Sequence, residues 1–421
     1  MRRQLKIEEK ITRSSTMKKQ VFWNTLGSTV YSFISMLFTI FVTRVLGDTE
    51  NGIFTIALTT SQVLIAVGYF EVRTFQVSDS RNLYCFQDYL SLRAITCALM
   101  LLVSLGYAAL HLEQIHVATV MFAMCLVKVL EAFGDVYEAM YQKKERLDLS
   151  GKIICFRTLF AAAAFVMVLW TVKSLEAAAA AMVLATGLGV FFLDMFPMRY
   201  FETDRRPFKW DRLPSLIKSC FPLFVSSFMS MYIINASRYA IKGTMDYRYQ
   251  TYYGAVFMPV AAINLMTGFV LKPLLTRQAA CWNGKQIPEF ICILRRIVLA
   301  VVCCLFVALS AAWFLGIPVL EMLYGIELSS YKTELLILTA GGGAFAISTA
   351  LYYSLTVMRK QRHIFFSYGI VFVETWLLSH WMTVQWGIRG ASLSYILSMA
   401  LLDLFFYIGV RKGIGEHSDE N

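Results

Sequence analysis

Long apolar runs separated by short polar connections decide what this chain can become. They fall near 21–45, 52–72, 88–110, 115–140, 153–172 and 175–198, and, after a polar break, near 214–238, 252–275, 291–315, 334–357, 364–385 and 388–410. Each is long enough to cross a hydrocarbon core, which takes roughly 20 apolar residues in helical form. A backbone in lipid has no water to satisfy its N–H and C=O groups, so such runs become helices. The composition agrees: 57% of the 421 residues are hydrophobic, 16% are charged and mean hydropathy is +0.58, values foreign to a water-soluble domain. The expectation is an all-α integral membrane protein of about 12 transmembrane helices, with no sizeable soluble domain.

The net charge of +11 would suggest a nucleic-acid partner in a soluble protein, but the placement of the charges argues otherwise. With the N-terminus in the cytoplasm, alternate connections divide Lys and Arg about 31 to 7 in favour of the cytoplasmic side, with Lys128 inside a helix. The positive-inside rule then puts both termini in the cytoplasm and accounts for the basic balance without nucleic acid. The first apolar run is too long for a signal-peptide core and has no small-residue cleavage site, so it reads as a retained helix.

The most polar interior stretch, 199–213, separates six spans from six. The expected organisation is a basic cytoplasmic tail at 1–20, an N-lobe at 21–198, a cytoplasmic linker at 199–213, a C-lobe at 214–410 and a cytoplasmic tail at 411–421. An even number of spans per half lets one half repeat the other in the same orientation. Weak echoes support this: Thr43-Arg44-Val45 and Ser237-Arg238-Tyr239 close the first helix of each half, and Arg73 and Lys272 close the second. Two lobes around a central cleft suit a transporter working by alternating access.

Ionisable residues inside the membrane cost roughly 2.5–3.5 kcal/mol each at a helix centre, so each needs a partner or a wet cavity. In the fourth span Lys128, Glu131 and Asp135 stand at i, i+3 and i+7, on one helical face. Two readings stay open: a neutralised structural network, with Arg157 of the next span as a further member, or a cation held in place for an anionic substrate. Arg44 and Arg238 end the first helix of each half, and Arg73 ends the second; helix-end snorkelling competes with a role as paired guanidinium donors to a pyrophosphate. Glu374 lies deep in its span, as a structural hydrogen-bonding group or a site for a coupling proton or sodium ion. Asp194 and Asp403 are expected near the cytoplasmic interface, exposed and unremarkable. Trp23, Trp170, Trp313, Trp381 and Trp386 read as interfacial belts.

No GxxxxGK[ST], GxSxG or HExxH motif occurs, so neither a cofactor nor catalysis is expected. The nine cysteines form no CxxC pair, and neither a metal site nor a disulfide framework is indicated. A membrane enzyme of glycan assembly would need larger outer loops, and a passive scaffold would have no use for charges sharing a buried face.

The residues Asn24-Thr25-Leu26-Gly27-Ser28, Thr43-Arg44-Val45-Leu46-Gly47 and Asn51-Gly52-Ile53-Phe54 resemble the opening of Wzx-type polysaccharide biosynthesis proteins. These are flippases of the multidrug/oligosaccharidyl-lipid/polysaccharide (MOP) exporter superfamily. Arg73 to Asp79 is similar to their second-helix exit, and Lys128 to Asp135 with Gln142, Arg146-Leu147-Asp148 and Arg157 is similar to their fourth and fifth helices. The resemblance runs from Met17 onward and is mostly topological in the second half; residues 1–16 lie outside it. It implies a MATE-like fold in a bacterial cytoplasmic membrane and transport of an undecaprenyl-pyrophosphate-linked oligosaccharide for capsule or O-antigen-like assembly. Membrane lipids and polysaccharide assembly enzymes are the implied partners, and Arg44, Lys128 and Arg238 the implied cationic contacts. A cation-coupled drug exporter or a lipid II flippase of the same superfamily is the alternative.

Overall fold

The first apolar run forms α1, Met17–Leu46, which stops at Gly47. There φ is +93° with ψ near 180°, a conformation open essentially only to glycine. The same residue precedes α2, Asp48–Tyr69, whose first turn carries Asp48 and Glu50, favourably placed at the positive end of the helix dipole. In the computed structural model the described residues are 15–79, 82–109, 114–201 and 210–419. Most of the tail at 1–20 and positions 202–209 of the expected linker lie outside them.

The remaining helices are α3 (Val72–Ser78), α4 (Phe86–Ala109), α5 (Ile115–Lys143), α6 (Leu147–Val172), α7 (Leu175–Gly189), α8 (Leu213–Thr244), α9 (Tyr247–Asn283), α10 (Ile287–Ala311), α11 (Ile317–Tyr324), α12 (Lys332–Val357) and α13 (Gln361–Asp419). Ten helical segments among the described residues are long and apolar enough to cross a membrane. The twelve expected spans are reached because α9 covers the eighth and α13 contains both the eleventh and the twelfth. These last two are separated by a break at Gly387 (φ 58°, ψ −139°).

Two spans depart from plain α-helix in the same way. After α7 the backbone widens into a π segment at Val190–Met195 before Pro197, and after α10 it does so at Ala312–Gly316 before Pro318. A proline cannot donate to the carbonyl four residues back and its ring crowds that turn, which accounts for the widening just before Pro197 and Pro318.

Contacts divide the chain into two units, Met1–Phe228 and Met229–Asn421, with the division inside α8. In the first unit α1 packs along α6, α2 along α5, and α7 along α6 and α5. α1 and α6 approach backbone to backbone at Gly27 and Gly151: a Cβ at Gly27 would lie 2.4 Å from the Gly151 carbonyl oxygen, and one at Gly151 would lie 2.4 Å from Trp23. The first half of α8 belongs to this unit, with Phe224 stacked on Phe70 at 4.6 Å between ring centroids and Ser215 bonded to the Tyr84 hydroxyl at 3.1 Å. In the second unit α12 packs against both arms of α13 and against α9. Gly341, Gly342 and Gly343 admit Tyr395, Val260 and Leu305 at contact distance.

The surface follows lipid rather than water. Leu102, Phe160, Phe306 and Phe314 are exposed, as are Trp170, Trp313, Trp381 and Trp386. In a water-soluble chain so much exposed apolar area would be a liability; in hydrocarbon it is the expected outer face.

Candidate functional site

Midway along α5, Lys128 sits roughly 20 Å from either helix end at 1.5 Å per residue. Its ammonium lies 2.8 Å from Glu131 Oε2 and donates to the Tyr31 hydroxyl at 2.5 Å. Tyr31 in turn donates to the same Glu131 oxygen at 3.0 Å, and its ring lies 4.9 Å from the ammonium. α1 and α5 therefore meet through a closed triangle of cation, phenol and carboxylate. These groups line a cavity of ≈ 20 Å³ together with Gln62, Arg157, Thr158 and Thr186, room for about one water molecule.

Further along α5 the charges multiply. Asp135 receives Arg73 at 2.7 Å through one oxygen and Arg93 at 2.7 Å through the other. Glu138 receives Arg73 at 3.1 Å and Arg157 at 3.0 Å. Arg157 completes its fork on Asp194 at 2.6 Å, and Arg73 also bonds Gln142. Arg93, the largest fully buried side chain, donates as well to the Gly68 carbonyl at 2.7 Å. Guanidinium groups suit this task because their planar forks serve two carboxylates at once.

Room for the Arg157–Asp194 pair comes from absent side chains. A Cβ at Gly134 would stand 2.8 Å from the Arg157 guanidinium and 3.2 Å from the Asp194 carboxylate, and one at Gly189 would stand 2.8 Å from Arg157 Cγ. With Lys128 and Glu131, the first unit sets the buried Arg93 and Arg157 and the half-buried Arg73 against Asp135, Glu138 and Asp194. Cations and carboxylates match in number. That balance is what a low-dielectric interior demands, since an unpaired buried charge costs several kcal/mol.

Solved structures place this architecture. A mutant of the Vibrio cholerae MATE transporter VcmN aligns with TM-score 0.64 at 13% identity, covering 97% of this chain and 98% of that one. An outward-facing multidrug resistance MATE transporter of the MOP superfamily aligns with TM-score 0.65 at 11% identity over 97% and 98%. An inward-facing multidrug resistance MATE transporter of the MOP superfamily aligns with TM-score 0.64 at 9% identity over 92% and 96%. The fold is that of the MATE transporters. No sequence-family model matches the chain, and no curated protein matches it significantly.

Within this MATE fold the expected site residues separate. Lys128 and Glu131 stay together and face the small cavity with Arg157, whereas Asp135, expected to share their site, is turned to Arg73 and Arg93. One helical turn is enough to pass it to a different set of partners. Arg73 belongs to the ion-pair network and not to the cavity lining. Arg44 is exposed at the end of α1. Arg238, in the second unit, lies 5.2 Å over the Phe257 ring. Glu374 accepts from Ser398 at 3.0 Å and Thr375 at 3.1 Å.

Two expectations are corrected. Asp194 is fully buried, not exposed at an interface, because the π segment after α7 turns it inward to Arg157. Asp403 is half-buried and accepts from Ser348 at 2.6 Å. Sequence reasoning also passed over Arg93, Glu138 and Tyr31. Arg93 carried a usable signal: with Thr96, Cys97 and Met100 it forms an i, i+3, i+4, i+7 stripe of buried positions on α4, so its side chain faces the interior.

Proposed function

We propose that the chain is a flippase that moves an undecaprenyl-pyrophosphate-linked oligosaccharide from the cytoplasmic to the outer leaflet for surface polysaccharide assembly. In this reading it lies in a bacterial cytoplasmic membrane with both termini inside, its lobes span 21–198 and 214–410 with 199–213 between them, and it works by alternating access. The MATE fold supports a transporter of the MOP superfamily, and the motifs from Asn24 to Phe54 support the oligosaccharide branch.

The observation that carries the choice is the sign of the mid-membrane charge. Lys128 brings a cation to the centre of the first unit, where an anionic pyrophosphate gains from it and a cationic drug is repelled. In the resting arrangement Glu131 and Tyr31 hold that ammonium. A proton taken by Glu131 removes the counter-charge and leaves Lys128 to the substrate, so the ionised Glu131 and the anionic substrate become alternatives for one cation, and substrate binding goes with proton uptake. Arg157, in the same cavity, keeps its own carboxylates throughout.

A second reading has one observation in its favour. Glu374 is hydrogen-bonded only by hydroxyls among the described residues, and its Oε1 has no partner, a setting suited to a coupling proton in a multidrug exporter.

The test is the accessibility of lipid-linked oligosaccharide to an impermeant probe in deletion and complemented cells. The flippase reading expects inward-facing lipid-linked sugar to accumulate in the deletion strain, relieved by the wild type and not by Lys128→Ala. Unchanged sidedness, with drug resistance conferred by expression, rejects it in favour of the exporter.

A further inference from the structure

The second unit carries a hollow unrelated to the buried network. The turn between α12 and α13 and the last turns of α13 border an open cavity of ≈ 580 Å³, within the range of small-ligand sites. Its walls are close because of two glycines one turn apart on α13. A Cβ at Gly409 would overlap the His363 ring, and one at Gly413 would lie 2.9 Å from the Met358 sulfur. A His363 ring nitrogen sits 2.8 Å from the Phe405 carbonyl, tying the turn to the far arm of α13.

The hollow is strongly basic. Arg359, Lys360, Arg362 and Lys412 line it, and Glu416, paired with Lys360, is the one carboxylate in its lining among the described residues. Among these residues three positive charges are left over. The positive-inside rule explains an abundance of Lys and Arg on one side of a membrane; it does not explain four of them around one hollow. Phe366 also lines the cavity and is 65% exposed. Ile370 and Val373, further along the first arm of α13, are exposed as well, and the second arm exposes Leu404 and Ile408. Cations at the membrane surface followed by exposed apolar side chains match a phosphate headgroup and its acyl chains.

We propose that this cavity binds the headgroup of an anionic glycerophospholipid, with Arg359, Arg362 and Lys412 on the phosphate and the chains along Phe366. The leaflet, cytoplasmic, rests on the topology proposed above; the binding does not.

Native mass spectrometry of the full-length protein in detergent tests this with dioleoyl phosphatidylglycerol against dioleoyl phosphatidylcholine. The wild type is expected to favour phosphatidylglycerol by roughly tenfold or more, as a few cations near a lipid phosphate provide. Arg362→Gln/Lys412→Gln should abolish the preference, Arg362→Lys should keep it, and Arg295→Gln/Arg296→Gln, a basic pair elsewhere, should leave it intact. Equal binding of the two lipids, or equal loss in both double variants, overturns the proposal. So does displacement of the lipid by millimolar inorganic phosphate, which would mark a free-anion site. Since binding is read on the purified chain, its failure leaves the flippase reading standing, and a failed transport assay leaves the lipid site standing.

Discussion

Arg157 and Asp194 meet at 2.6 Å in a gap that Gly134 and Gly189 keep open. The pair bridges α6 to the π segment after α7, so the helices around it depend on atoms that two residues lack. Gly134→Ala should displace the guanidinium, leave Asp194 buried with a weakened partner and lower stability by about 2–4 kcal/mol. Thermal unfolding in detergent measures this, and a variant as stable as the wild type would show that the pair relaxes without cost.

Lys128 and Glu131 separate a structural role from a transport role. Lys128→Met alone leaves a buried carboxylate without its cation and should cost about 3–5 kcal/mol, whereas Lys128→Met/Glu131→Leu removes both charges and should return close to wild-type stability. If Lys128 meets substrate, both variants fail to move lipid-linked sugar. Recovery of transport in the double variant would make the pair a purely structural tie.

The backbone approach of α1 and α6 gives a sharper stability prediction. Gly151→Val places side-chain carbons where Trp23 backbone atoms now stand, and no rotamer avoids them. Loss of folded, monodisperse protein on size exclusion is expected, with Gly106→Val, whose Cβ meets nothing within 4 Å, as the tolerated control.

Asp79, between α3 and α4, predicts a pH dependence. Burial raises its pKa, but the backbone N–H groups of Leu83 and Tyr84, the Tyr89 hydroxyl and Lys143 lower it by more, so it lies below the ordinary aspartate value. A depressed carboxylate pKa stabilises the fold above the unfolded-state value, and the gain disappears as pH falls through the folded-state value. The stability gap between wild type and Asp79→Asn should therefore be full at pH 7 and close below about pH 4.

Legibility in the sequence tracks physical scale. Span number and helical class can be read because hydrophobic length is a property summed over some twenty residues, and no neighbour overrides it. The Lys128–Glu131 pairing can be read because i, i+3 spacing places both on one face. The partners of Asp135 cannot: Arg73 lies 62 positions and Arg93 42 positions away along the chain, and helical periodicity says nothing about which helix stands opposite. Asp194 escapes a sequence reading for a related reason, since a π segment rotates the residues after it relative to a plain α-helix and position alone suggests a helix end. Arg93 looks like one more positive-inside residue until its burial shows which way it points.

The pairing of every cation in the first unit's buried network with a carboxylate has an electrical meaning. One elementary charge moved through a full membrane potential of 100 mV exchanges about 2.3 kcal/mol with the field. A network of zero net charge exchanges none, however far it travels, so this part of the protein is deaf to voltage while its pairs hold. Within this network, a response to membrane potential must then enter through what binds, or through the moment at which Glu131 gains a proton and Lys128 loses its counter-charge.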